Sequence, residues 1–209
     1  MEFIDLKAQY KKLDSKINNN IKKVLNDSHF IMGEEVKTLE KELADYVGTK
    51  YCLTCANGTD ALTIALMAFG IKEGDAVFVP SFTFFSTAEV VSLAGATPIF
   101  VDSDQRTFNI DFNKLEKAII KAKNETNLNL KAIIAVDLFG LPANFKEIKR
   151  IAEKYNLLII EDVAQGFGGS IDGKKACSFG DIATTSFFPA KPLGCYGDGG
   201  AIFNNNKDY

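Results

Sequence analysis

The run Thr184-Thr185-Ser186-Phe187-Phe188-Pro189-Ala190-Lys191-Pro192-Leu193-Gly194-Cys195-Tyr196-Gly197-Asp198-Gly199-Gly200 places one lysine inside an apolar, aromatic stretch ahead of a glycine-dense turn. Lost solvation favours the neutral amine of a lysine, and a neutral amine attacks a carbonyl to form a Schiff base. Upstream, Ile159-Ile160-Glu161-Asp162-Val163-Ala164-Gln165 reads as a buried strand ending on an acid. A carbonyl-binding lysine and a carboxylate that keeps a pyridine nitrogen protonated are the pair that pyridoxal 5'-phosphate (PLP) chemistry requires. A third signal is Asn57-Gly58-Thr59-Asp60-Ala61-Leu62, which opens a helix directly after a strand. First-turn amides and the helix dipole make that turn a phosphate site, and Gly58 lets an anion approach the backbone.

Around this trio stand further candidates. Ser186, five residues before Lys191, could donate to the same phosphate. Phe84, in Pro80-Ser81-Phe82-Thr83-Phe84, could stack on an aromatic ring, and Gln165 could hydrogen-bond a ligand oxygen. Each also has a purely structural use. Gly58 can be a turn residue and Thr59 an N-cap, Asp162 can cap a helix, Gln165 can lie on the surface, and Ser186 can bond to backbone. With 17 phenylalanines in the chain, any single one fits a core as readily as a cofactor contact.

Other chemistries are disfavoured. Neither G-x-x-x-x-G-K-[ST] nor G-x-G-x-x-G follows the first strand, so neither a Walker loop nor dinucleotide binding is expected. The only histidine, His29, lies in a polar stretch after an amphipathic helix, so a Ser-His-Asp triad or a multi-histidine metal site is not expected. Cys52 and Cys55 have C-x-x-C spacing, but on a strand residues three apart face opposite sides, so they read as reduced core cysteines and no metal is predicted. The formal charge of −3 is spread along the chain, which argues against nucleic acid as a partner. Apolar runs are short, so no membrane span is expected, and the amino terminus lacks a signal-peptide pattern. A cytoplasmic protein is the expectation.

The elements that must position these residues alternate along the chain. Residues 9–27 and 34–46 show helical spacing. Strands are then predicted at 51–54, 76–79, 97–101, 132–136 and 157–160, with helices at 59–69, 84–93, 112–123 and 145–155 between them. Two more strands, 182–187 and 201–203, flank the Lys191 turn. Such alternation predicts an α/β fold with a mainly parallel sheet and helices on both faces, its ligand sites at the carboxyl ends of the strands.

Taken together, Asn57–Leu62, Pro80–Phe84, Glu161–Gln165 and Thr185-Ser186-Phe187 with Lys191 resemble the DegT/DnrJ/StrS-type sugar-nucleotide aminotransferases. These are PLP enzymes of fold type I. The resemblance runs from Phe3-Ile4-Asp5-Leu6 through Phe30-Ile31-Met32-Gly33 to Gly197-Asp198-Gly199-Gly200, and its wording around the lysine is most similar to the branch that aminates a UDP-linked 3-keto sugar such as UDP-2-acetamido-3-keto-glucuronic acid. It implies that Lys191 carries the cofactor and moves the proton, that Asp162 pairs with the pyridinium nitrogen, and that Gln165 meets the phenolic oxygen side. It further implies that Phe84 stacks on the ring and that Gly58, Thr59, Asp60 and Ser186 cradle the phosphate. L-glutamate as amino donor, a homodimer, and a role in surface polysaccharide synthesis follow from the same resemblance. A lysine at 191 argues against the dehydratase relatives, which carry histidine there. Asp137 stands where many relatives carry histidine or another residue, and it is assigned no role. Residues 1–30 read as an amino-terminal amphipathic segment and 31–209 as the PLP-binding large domain, with a smaller carboxy-terminal domain absent. A PLP enzyme of other specificity, or an inactive cofactor- or partner-binding fragment, are the alternatives.

Overall fold

A computed structural model of the chain describes residues 4–209, so Phe3 of the amino-terminal motif lies outside the described residues. The elements run α1 (Leu6–Asp27), α2 (Glu34–Val47), β1 (Tyr51–Cys55), α3 (Gly58–Ala68), β2 (Asp75–Pro80), α4 (Ser86–Leu93), β3 (Thr97–Val101), α5 (Phe112–Glu125), β4 (Asn129–Val136), α6 (Phe145–Tyr155) and β5 (Leu158–Asp162). A small hairpin of β6 (Ser170–Ile171) and β7 (Lys174–Lys175) follows, then β8 (Ile182–Ser186) and β9 (Gly200–Asn204). The predicted strands and helices are all present, with ends shifted by a few residues. The β6–β7 hairpin was not predicted, since two-residue strands carry no periodicity to read.

Seven strands form one sheet in the order β1-β9-β8-β5-β4-β2-β3. The β8–β5, β5–β4, β4–β2 and β2–β3 pairs are parallel, while β1–β9 and β9–β8 are antiparallel. Two antiparallel steps restore the original direction, so among the described strands of this sheet β9 alone runs against the rest. The carboxyl ends of β1, β5 and β8 therefore share one edge.

Both faces of the sheet are covered because alternate strand residues point to opposite sides. Val77, Val79, Ile134 and Ile160 pack with Ala61, Leu62, Val90 and Val91 of α3 and α4. Phe78, Ile133, Ala135 and Ile159 face Leu115, Ile119, Ile148 and Ile151 of α5 and α6. β1 splits its cysteines as strand geometry demands. Cys52 joins the cluster of Leu43, Val47 and Phe203, whereas Cys55 packs against the α3–α4 layer. All four cysteines are free thiols, and burial pushes the Cys52 thiol up to about 12. Among the described residues no group of three or more His, Cys, Asp or Glu could hold a metal ion, and no helix is long and apolar enough to cross a membrane.

Candidate active site

The shared edge holds a cavity of about 560 Å³ lined by Gly58, Thr59, Asp60, Phe84, Asp162, Gln165, Ser186 and Lys191, together with Thr87, Thr184 and Thr185. Every predicted site residue thus reaches one cavity, although the stretch from Gly58 to Lys191 spans most of the chain.

Asp162 forms the floor. As the last residue of β5 it shares a sheet face with Ile160 and points towards α4, where it is only 5 % exposed. Its Oδ2 accepts from the Thr87 hydroxyl at 3.2 Å and its Oδ1 from the Ala164 N–H at 3.1 Å. The Thr83 hydroxyl lies 3.0 Å from that of Thr87, extending the chain of hydroxyls outward. Burial pushes the Asp162 carboxyl up, and the Ala164 amide, the Thr87 hydroxyl and the charge of Lys191 pull it back. A carboxylate so desolvated is stabilised by a cationic partner, and it faces the cavity where one would sit.

Lys191 lies in the loop between β8 and β9, half-buried. Its surroundings are more open than the apolar sequence around it predicts, with Phe188 51 % and Leu193 40 % exposed. The physical reason is that the loop leaves the sheet edge, so its apolar side chains stand clear of the core layers. The backbone nevertheless ties the loop at its base. Phe187 N–H donates to Gly199 C=O at 2.7 Å, Cys195 N–H to Phe187 C=O at 2.8 Å, and Lys191 N–H to Phe188 C=O at 2.8 Å.

The phosphate turn is built from two glycine-dependent contacts. A Cβ on Gly58 would lie 2.7 Å from Ser186 Cβ, and one on Gly200 would lie 2.6 Å from the Asn57 carbonyl oxygen. Only glycine permits this approach of α3 to the β8–β9 hairpin. Asn57 caps α3 by accepting the Asp60 N–H at 2.8 Å, and its Nδ2 donates to the Asp60 carboxylate at 3.1 Å. The Asp60 amide is therefore occupied. Within α3's first turn, the Gly58 and Thr59 N–H groups meet no acceptor among the described residues, and both residues line the cavity. Thr59 Oγ1 meets Ser86 Oγ at 2.9 Å, which joins the amino ends of α3 and α4. Ser186 Oγ accepts the Phe188 N–H at 3.2 Å.

Gln165 is oriented from behind, since its Oε1 accepts the Phe139 N–H at 2.9 Å and leaves the side-chain NH2 as the group free to meet a ligand oxygen. Phe84 precedes α4 rather than opening it, and it is 66 % exposed at the cavity rim. Sequence reading missed Thr87, Thr83 and Ser86. The only signal was the hydroxyl density of Ser81–Thr87, and hydroxyls in a helix's first turn read as caps.

The residues present fit PLP. A buried carboxylate, a lysine across from it, two open first-turn amides and an oriented carboxamide are the donor and acceptor set that a phosphorylated pyridinium aldehyde needs. When bound, that group supplies an electron sink for amine transfer. With it bound, the α3 turn would meet its phosphate, Asp162 would meet its ring nitrogen, and Lys191 would lie beside its reacting carbon.

The fold is that of the large domain of fold type I PLP aminotransferases, and the residues of the site suit that cofactor. The chain belongs to the DegT/DnrJ/EryC1/StrS aminotransferase family, whose pattern matches residues 11–209. It is 52% identical over 208 residues to the UDP-2-acetamido-2-deoxy-3-oxo-D-glucuronate aminotransferase of Pseudomonas aeruginosa, covering 100% of this chain and 56% of that protein. A DegT DnrJ EryC1 StrS aminotransferase from Brucella abortus superposes with a TM-score of 0.98 at 51% identity, over 100% of this chain and 56% of that one. NtdA from Bacillus subtilis, solved with its cofactor PMP (pyridoxamine phosphate), superposes with a TM-score of 0.89 at 34% identity, over 100% of this chain and 46% of that one. The chain thus spans about half the length of the relatives it matches.

Proposed function

We propose that this chain is the cofactor-binding part of an enzyme that transfers an amino group from L-glutamate to a nucleotide-linked keto-sugar. The single observation that carries this reading is Asp162, buried at the floor of a cavity that Lys191 also lines. In it Lys191 carries the cofactor and moves the proton, and Asp162 partners the pyridinium nitrogen. Gln165 meets the phenolic oxygen and Phe84 covers the ring. Gly58 and Thr59 hold the phosphate through their amides and Ser186 through its hydroxyl, with Asp60 completing the turn.

The substrate favoured is a UDP-linked 3-keto sugar, supported by likeness to the Pseudomonas aeruginosa relative and to one from Acidithiobacillus ferrooxidans named for a UDP-linked 3-dehydro-glucosamine. Relatives named for GDP- and dTDP-linked sugars mark the breadth that this choice must beat. Cytoplasmic amino-sugar synthesis for surface polysaccharide, a homodimer, and the division into residues 1–30 and 31–209 belong to the same proposal.

The test is a visible spectrum of the protein with added PLP, before and after L-glutamate. A lysine-bound band that borohydride fixes at Lys191, and that glutamate bleaches to the amine form of the cofactor, supports the reading. A stable, folded protein with no such band, or a band lodged on another lysine, overturns it. Comparing amine transfer to UDP-, GDP- and dTDP-linked keto-sugars then decides the substrate.

A further inference from the structure

Asp137 is a fully buried acid, and the site described above gives it no task. It follows β4, two residues beyond Ala135, which pairs with Glu161 in the parallel register, while Val136 pairs with Asp162. Asp137 and Glu161 therefore share a sheet face as diagonal neighbours, opposite to the face of Asp162. Asp137 Oδ1 accepts the Ala143 N–H at 3.0 Å. Its Oδ2, equally buried, has no donor against it.

Glu161 is the better-served member of the pair. Its carboxylate accepts backbone N–H groups from Cys177 at 2.8 Å, Phe179 at 2.6 Å and Gly180 at 2.9 Å. Hydrogen bonds to the charged form favour it, and two adjacent buried carboxylates do not both ionise. The proton thus goes to Asp137, whose carboxyl is pushed up to about 9 by burial and then by the Glu161 charge. Burial pushes the Glu161 carboxyl up as well, but its three amides and a hydrogen bond donated by protonated Asp137 pull it back, and that bond gives the Asp137 carboxyl its missing partner. The other ionisable groups around this pair are Asp162 on β5, whose charge pushes Asp137 up further, the buried Cys177 thiol, which burial and the acids keep neutral, and Lys174 on β7, whose charge Glu161 favours. The charge of Lys191 acts on Asp162.

The geometry shows what the pair holds in place. The Asp137 N–H donates to the Asp162 carbonyl at 2.9 Å, so one end of the 138–143 loop is anchored on β5. Its carboxyl grips the other end at Ala143. Between them Phe139 sits at φ 56, a left-handed conformation that costs a non-glycine residue about 1–2 kcal/mol and persists only where its surroundings impose it. That strained residue is the one whose N–H orients Gln165. From the other side, Gly166 packs so tightly that an added Cβ would lie 2.6 Å from Asp137 Cβ.

We propose that Asp137 is a positioning residue of the cofactor site, whose neutral carboxyl bridges Glu161 and the Ala143 amide and so fixes the loop that sets the Gln165 amide at the cavity wall. This rests on the PLP reading above. Ionised Asp137 would repel Glu161, release the loop and loosen Gln165.

Asp137→Asn tests it, because an asparagine reproduces both bonds, accepting from Ala143 and donating to Glu161, but cannot ionise. PLP affinity of the full chain is measured from neutral pH to beyond 9 for wild type and Asp137→Asn. Wild-type affinity is expected to fall about tenfold more than that of the variant as pH passes about 9, a typical size for site-to-site coupling. Equal falls in the two proteins overturn the proposal. Asp137→Ala and Gln165→Ala, alone and combined, give a second arm. Losses in PLP affinity that fail to add support action through Gln165, and strictly additive losses overturn it. Infrared spectra without cofactor give a third. An acid carbonyl band present in wild type at neutral pH and lost in Asp137→Asn is expected, and its absence from wild type overturns the proposal. A wild type that shows this band yet binds no PLP defeats the functional reading and the positioning role with it, which separates that failure from the others.

Discussion

Glu161 and Asp162 are consecutive acids on one strand, both buried, and the sheet turns them to opposite faces with opposite consequences. Glu161 meets three backbone amides and a protonated neighbour, so its hydrogen-bonding capacity is filled by the protein itself. Asp162 meets one amide and one hydroxyl and opens on a cavity with a lysine in it. A buried charge that the fold satisfies serves the fold. One that the fold leaves partly unsatisfied, facing a cavity, is available to a ligand.

Amide-for-acid substitutions at the two positions break this contrast if it is wrong. Asp162→Asn should reduce amine transfer by about 10²–10³-fold, the usual size for removing a fixed charge from a reacting site. Its melting temperature should match or exceed that of wild type, since Oδ1 can still accept the Ala164 amide, the Thr87 hydroxyl can turn to accept from the new NH2, and the desolvated charge is gone. Glu161→Gln should do the reverse. Its NH2 would face amide donors and leave some unpaired, which costs about 2–4 kcal/mol in urea unfolding, with the cofactor band retained in whatever protein folds. If Asp162→Asn unfolds and Glu161→Gln does not, the assignment of roles is inverted.

Asp137 sharpens the comparison through pH. Its folded carboxyl is raised to about 9, above the unfolded value of about 3.9, so the native state holds the extra proton between them. The resulting stabilisation is fully present below about 4 and is lost as pH climbs to about 9. Wild type should therefore lose stability relative to Asp137→Asn over that window, by at most about 1.4 kcal/mol per pH unit, as measured by urea melts at several pH values. The smallest effect is expected at Thr87. Replacing it with valine removes one hydroxyl donor from Asp162, costs about 1 kcal/mol, and weakens PLP binding without abolishing it.

The Glu161–Asp162 contrast also marks how far sequence reading reaches. The layered α/β architecture was legible because apolar segments alternate in period and length, and the residues that line the cavity were legible because most lie at or soon after the end of a predicted strand. Asp162 was found by its apolar run and Lys191 by its aromatic one, although the second clue overstated the burial. The role of Glu161 was not legible, because it depends on the turn at 177–180 lying across the strand, a contact that no local pattern encodes. Asp137 was noticed in the sequence but given no role for the same reason. Its partner lies on the adjacent strand, and only the β4–β5 register brings the two together. Likewise, Thr87 became a candidate only once α4 was seen to point its first turn at the end of β5.

The two close approaches at Gly58 and Gly200 have a mechanical consequence. They press the first turn of α3 directly against the root of the hairpin that carries Lys191, Gly58 on the Ser186 Cβ and Gly200 on the Asn57 backbone. The phosphate turn and the lysine loop are thus joined like two arms of a clamp at a shared pivot. Beyond Phe187 the loop is held by its own backbone, with Lys191 N–H on Phe188 C=O and Cys195 N–H on Phe187 C=O, so the lysine is carried by a turn rooted at that pivot. A substitution at either glycine would therefore shift α3 and the Lys191 turn together, not one without the other.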